Sequence, residues 1–160
     1  MNPVKSITIL GIDPGIARMG WGVVEEVRGK AQAVAYGCFE TSKSMVHPAR
    51  LAAVHKELTR LIKKYQPDRV AVEKLFFSKN VKTALRVGEA RGVILMTCSA
   101  LQASCVEISP KEVKQALTGY GGADKQQMQK MVQLMLGLKE IPRPDDAADA
   151  LAIAVAGARL

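Results

Sequence analysis

The sequence predicts an α/β fold built on a mixed five-stranded sheet, three strands antiparallel and two parallel, flanked by helices. Two observations carry that reading. The N-terminal quarter holds three apolar, β-rich runs separated only by turn residues, the pattern of an antiparallel meander. Two later apolar runs each follow a long helical segment, as strands added through helical crossovers do.

Ile7-Thr8-Ile9-Leu10-Gly11-Ile12-Asp13 is the first strand, ended by the turn pair Pro14-Gly15. It is the most uniformly apolar strand and is therefore expected at the centre of the sheet. Gly20 to Glu25 forms the second, and Arg28-Gly29-Lys30 turns it into a third over about Gln32 to Phe39. Leu51, Val54, His55, Leu58, Leu61, Ile62 and Tyr65 recur at helical spacing, predicting an amphipathic helix over Pro48 to Tyr65 that Gln66-Pro67-Asp68 ends. Arg69 to Glu73 is a short fourth strand.

Val81 to Leu101 reads as a long helix. Its Ala84, Gly88 and Gly92 form a small-residue stripe that permits close packing. The all-apolar Val93-Ile94-Leu95-Met96 predicts that it meets the sheet on one side and something else on the other. Cys105 to Ile108 is the fifth strand. Ser109-Pro110-Lys111-Glu112 is a capping box with proline at the first helical position, and that helix breaks at Gly119-Tyr120-Gly121-Gly122. One more helix spans about Asp124 to Leu136, and the last runs from Asp145 to Arg159. No repeat or linker divides the chain, so residues 1–160 are expected to form a single domain.

A hydrophobic share of 48% with only 4% aromatics implies an aliphatic core. The net charge of +8 and pI near 9.6 favour an anionic partner, most commonly nucleic acid, although a basic surface kept for solubility would look the same. Cys38, Cys98 and Cys105 lack paired spacing and read as small core residues of a reduced compartment, not as a zinc site or disulfide framework. With no signal-peptide pattern and no apolar stretch of membrane-spanning length, a cytoplasmic protein is expected.

Acids then stand out at strand ends. Asp13 closes the first strand and Glu73 the fourth, and a crossover connection can place those strands side by side. Asp146 and Asp149 lie three apart on one face of the last helix, and Ile153 and Ala156 continue that face toward the core. A helix docked with its N-terminus at the same edge would gather four carboxylates. Like charges so close raise one another's pKa or need a cation between them, and hard oxygen ligands select Mg²⁺ or Mn²⁺. Two such ions can activate a water and stabilise the leaving oxygen of a phosphodiester. Plainer readings exist, Asp145 and Asp146 as helix-start residues, Asp13 as a turn residue, Glu73 as a surface ion-pair partner, while Asp149, past the cap on the apolar face, is harder to explain that way.

The segments Gly11-Ile12-Asp13-Pro14-Gly15, Ala71-Val72-Glu73-Lys74-Leu75-Phe76, Phe77-Ser78-Lys79-Asn80 and Asp146 to Ala154 resemble the RuvC family of Holliday-junction resolvases. Glu89-Ala90-Arg91-Gly92 and Val113 to Leu117 add to the likeness, which covers nearly the whole chain in order. The resemblance implies an RNase H-like fold, a homodimer, and metal-dependent paired nicks placed symmetrically across a four-way DNA junction. It further implies work beside the RuvA–RuvB branch-migration complex. By position, Asp13, Glu73, Asp146 and Asp149 would be the metal-binding catalytic acids. Lys114 and Lys125 match basic positions near DNA or the active site, and Phe76 matches an aromatic that contacts junction bases. Phe76 and Phe77, beside Lys79 and Asn80, suit stacking on unpaired bases, with Phe77 expected in the core. Lys111 is expected to track phosphates with Lys114 and Lys125. The chain stops soon after the last acids, where some relatives carry a basic tail.

Three rival readings remain at this point. An RNase H-like nuclease of the YqgF type shares the strand-end Asp but not the context of Glu73 or the Asp146–Asp149 pair. An actin-like ATPase needs about twice this length. A junction-binding module that does not cut would have no use for four aligned acids.

Overall fold

The computed structural model describes residues 6–75 and 80–160. One sheet runs in the order β3-β2-β1-β4-β5, formed by β1 (Ser6–Asp13), β2 (Arg18–Val27), β3 (Lys30–Glu40), β4 (Arg69–Glu73) and β5 (Cys105–Ile108). β1 pairs antiparallel with β2 and β2 with β3, while β4 runs parallel to both β1 and β5. This is the mixed sheet that the sequence predicts, with β1 at its centre. Arg28 and Gly29, with φ of 54° and 78°, make the two-residue turn between β2 and β3. Paired positive φ values match the twist of the strands they join.

Five helices cover the sheet: α1 (His47–Tyr65), α2 (Val81–Ala100), α3 (Pro110–Thr118), α4 (Lys125–Met135) and α5 (Asp145–Ala158). Strand alternation sends buried residues to both faces. Leu10, Ile12, Val70 and Val72 form one core with Val54, Leu58 and Leu61 of α1 and Ile94 and Cys98 of α2. Ile9, Ala71 and Ile108 form the other with Leu151, Ile153 and Val155 of α5, backed by Val113 and Leu117 of α3 and Val132 of α4. Of the three cysteines, Cys98 is a core residue and Cys38 and Cys105 are only half-buried; all are free thiols.

α5 lies closer to the sheet than side-chain packing would allow. A Cβ on Gly11 would stand 2.1 Å from the carbonyl oxygen of Ala150, and one on Gly20 would stand 2.0 Å from that of Asp146. Only glycine at these two strand positions lets helix backbone rest on strand backbone.

The capping box of α3 is present, and α4 has a second one, from Asp124 and Gln127. Asp145 does not cap α5. The N-cap is Pro144, which makes no side-chain cap hydrogen bond, and Asp145 is the first helical residue. Its carboxylate is instead held by Lys125, Arg143 and Gln129. The small-residue stripe of α2 also serves differently from expectation. Ala84 is buried and a Cβ on Gly88 would touch Leu75, but one on Gly92 would meet nothing within 4 Å.

Candidate active site

β1 and β4 are parallel neighbours with Ile12 opposite Val72, so the next step along both strands brings Asp13 beside Glu73. Alternation places Asp13 on the same face as Ile9 and Gly11, and Glu73 on the same face as Ala71. That face carries α5. Gly20, the β2 partner of Asp13, supports the backbone of Asp146. Helical spacing then sets Asp149 one turn further along, toward Glu73.

Electrostatics show how near these acids are to one another. Burial pushes Asp13 up to about 8, and the charges of Glu73, Asp149 and Asp146 add to the rise against the pull of Lys125. Burial also raises Glu73, helped by Asp149 and opposed by Lys114. Asp149 is raised by burial, with Lys125 opposing and Asp145 and Asp146 reinforcing. Set together in a low-dielectric edge, these carboxyls thus hold their protons more tightly than usual.

Cations ring the group. Lys125 Nζ is 3.0 Å from Asp145 Oδ2 and 3.8 Å from Asp149 Oδ2. Arg18 Nη2 lies 3.1 Å from Asp146 Oδ2 and its Nε 3.5 Å from Glu40. Glu73, Lys114, Lys125 and Asp149 line a cavity of about 220 Å³ between α3, α4 and α5. A shallower depression next to it holds Arg18, Arg143, Asp145 and Asp146 and shares Lys125 and Asp149.

The structure therefore brings together Asp13, Glu73, Asp146, Asp149, Lys114 and Lys125. Lys111 stands apart from this cavity, its stem against Gly121. Asn80 is the N-cap of α2, and its Oδ1 accepts a hydrogen bond from the Thr83 amide at 3.3 Å. Phe76, Phe77 and Lys79 lie outside the described residues. Sequence reasoning missed Arg18. The signal was available in the hairpin: once Gly20 pairs with Asp13, Arg18 projects just beyond the end of β1, where the acids are.

Among the described residues, no three His, Cys, Asp or Glu side chains stand ready as a metal cage. The acids are instead partly neutralised by Arg18 and Lys125. By donor chemistry the set fits a hard divalent cation, because every candidate ligand is a carboxylate and three of the four bind protons more tightly than usual.

The family model described as crossover junction endodeoxyribonuclease RuvC matches residues 9–157. The protein of that name from Caldicellulosiruptor saccharolyticus is 55% identical over 92% of this chain and 89% of its own length. The solved structure of Thermus thermophilus RuvC superimposes with a TM-score of 0.87 at 38% identity, covering 95% of this chain and 93% of that one. T. thermophilus RuvC in complex with Holliday junction substrate superimposes with a TM-score of 0.85 at 36% identity and the same coverage.

Proposed function

The chain belongs to the RuvC family of crossover junction endodeoxyribonucleases, and from that premise we propose that Asp13, Glu73, Asp146 and Asp149 are the carboxylates with which it resolves four-way DNA junctions. The observation that carries the assignment is the placement of the acids at one sheet edge: Asp13 beside Glu73 at neighbouring strand ends, and Asp146 and Asp149 on the helix seated against Gly20. Members of the family are divalent-metal-dependent nucleases. The all-carboxylate donor set favours Mg²⁺, with Mn²⁺ able to substitute, and room for two ions among four acids. When bound, such ions supply a nucleophilic water and stabilise charge on the phosphate oxygens.

The chain's own groups then have distinct tasks. Lys114, beside Glu73, offers a compact positive charge to a phosphate oxygen of the strand being cut. Lys125 is held by Asp145 near Asp149 and faces the same cavity, so it can move from carboxylate to phosphate with little travel. Arg18 balances Asp146 in the ion-free protein. In the reaction a water oxygen adds to phosphorus, one bridging P–O bond breaks, and the leaving oxygen gains a proton. Phe76, Lys79 and Asn80 follow Glu73 in the chain and would meet the bases of the junction.

Residues 1–160 would act as one nuclease domain of a cytoplasmic homodimer working with RuvA and RuvB, as the family resemblance implies. No helix among the described residues is long and apolar enough to cross a membrane. A pair of sites fits a substrate with two-fold symmetry. On α2, Val81, Leu85 and Met96 are 73%, 64% and 51% exposed, and their spacing puts them on one stripe with Gly88 and Gly92. That uncovered apolar stripe is a suitable surface for a second copy of the chain.

The deciding experiment is cleavage of an end-labelled, mobile-core four-way junction by wild type and Asp146→Asn, with Mg²⁺ and with EDTA. Paired symmetric nicks that need metal, and that fall roughly a hundredfold or more in the variant while binding persists, support the assignment. Tight binding without nicks under any condition would leave a junction-binding module.

A further inference from the structure

Beyond the acids, the depression that holds Arg18 adjoins a groove of about 890 Å³ between the β1–β2 loop, α1 and α2. The two share Arg18, and the depression shares Lys125 and Asp149 with the cavity that contains Lys114. The three hollows thus lie side by side along the sheet edge, a path with acids in the middle and cations at both ends. We propose that the groove bearing Arg18, Arg50, Lys82 and Arg86 is a second DNA-backbone site, holding the cut strand's phosphates on the side away from Lys114. This rests on the nuclease reading above.

The groove's charge is one-sided. His47 and the four cations line it against a single acid, Glu89, whose carboxylate is engaged by the His47 ring. Neither α1 nor α2 carries an acid in its first turn to offset them. Lys82 and Arg86 are exposed, make no ion pair among the described residues, and stand four apart on α2. Like charges at that spacing repel one another and weaken a helix. An anionic ligand laid across both removes that cost. Arg50 is fixed in place, its Nε donating to Thr41 Oγ1 at 2.8 Å while Thr41 donates to the Ile16 carbonyl at 2.6 Å. The same contacts tie the groove wall to the β1–β2 loop, just before Arg18. A polyanionic strand is the occupant whose charge runs the length of this path.

Lys82→Gln/Arg86→Gln tests the proposal, because these side chains touch neither the acids nor the core. Lys63→Gln/Lys64→Gln, on the exposed C-terminal turn of α1, removes the same net charge elsewhere. Junction affinity is measured by fluorescence anisotropy in EDTA over a range of salt. Each lost phosphate contact lowers the slope of log Kd against log salt by about 0.9. The groove variant is expected to lose between one and two such contacts and to bind roughly tenfold more weakly near ~0.1 M salt. At saturating enzyme and Mg²⁺ it still nicks, and the control variant follows wild type. A groove variant with the slope of wild type, or of the control, overturns the proposal. A wild type that binds with a steep slope yet never nicks would sink the nuclease reading, and the slope comparison would still decide whether the groove holds DNA. A wild type that does not bind the junction overturns both.

Discussion

Asp13 keeps its proton to about pH 8 in the ion-free protein, since burial withholds water from its charge and three acids surround it. Its unfolded reference is 3.8, so the native state binds the proton more tightly than the unfolded chain does. The stability tied to that proton is complete below about pH 4 and drains away as pH climbs through about 8. Glu73 and Asp149 shift in the same direction. In EDTA, Asp13→Asn should therefore melt close to wild type at pH 4 and several degrees above it at pH 9. Thermal melts at both pH values read the gap, and a gap that does not widen with pH contradicts the placement of Asp13 among acids. The four proposed acids stood out in the sequence because Asp13 and Glu73 end strands, Asp146 lies in the first turn of a helix, and Asp149 interrupts that helix's apolar face. Arg18 and the role of Asp145 were not. Their partners, Asp146 and Lys125, arrive from elements distant in the chain, and only the folded hairpin and the α4–α5 contact bring them near.

At the scale of elements, α5 is positioned by absence of side chain. Its backbone rests on Gly11 and Gly20, and the second of these contacts falls at Asp146 itself. Gly11→Ala and Gly20→Ala each force a methyl into a space already filled by a carbonyl oxygen, and overpacking of this kind costs about 2 kcal/mol or more. Urea unfolding should show both losses. Gly20→Ala should also reduce junction cleavage more than Gly11→Ala does at matched stability, because it displaces a carboxylate-bearing turn. Equal activity in the two would mean that the site tolerates movement of α5. Every strand and helix could be located from its own residues, within a few positions at the ends: the capping box at Ser109 fixes one helix start without help from the rest of the fold. The match between strand glycines and an alanine-rich helix could not be found that way. Gly11 and Ala150 each look unremarkable, and their fit exists only once α5 is docked.

For the molecule as a whole, fold class followed from the order of apolar runs, since a meander and two crossovers leave few ways to build one sheet. The net charge of +8 pointed to an anionic partner but not to where it lies; the groove beside Arg18 depends on helices meeting a loop. Association is a property of the same scale. If α2 forms the dimer contact, Leu85→Glu should shift sedimentation from dimer toward monomer, leave the melting temperature of the monomer nearly unchanged, and replace paired nicks by single ones. A variant that stays dimeric moves the interface elsewhere. Two of the four proposed acids stand on α5, which follows every strand in chain order. During synthesis on the ribosome, the sheet can therefore emerge complete with Asp13 and Glu73 while the proposed cutting centre is still unmade. On the proposed assignment, a chain interrupted before α5 carries only half the acids and is expected not to nick.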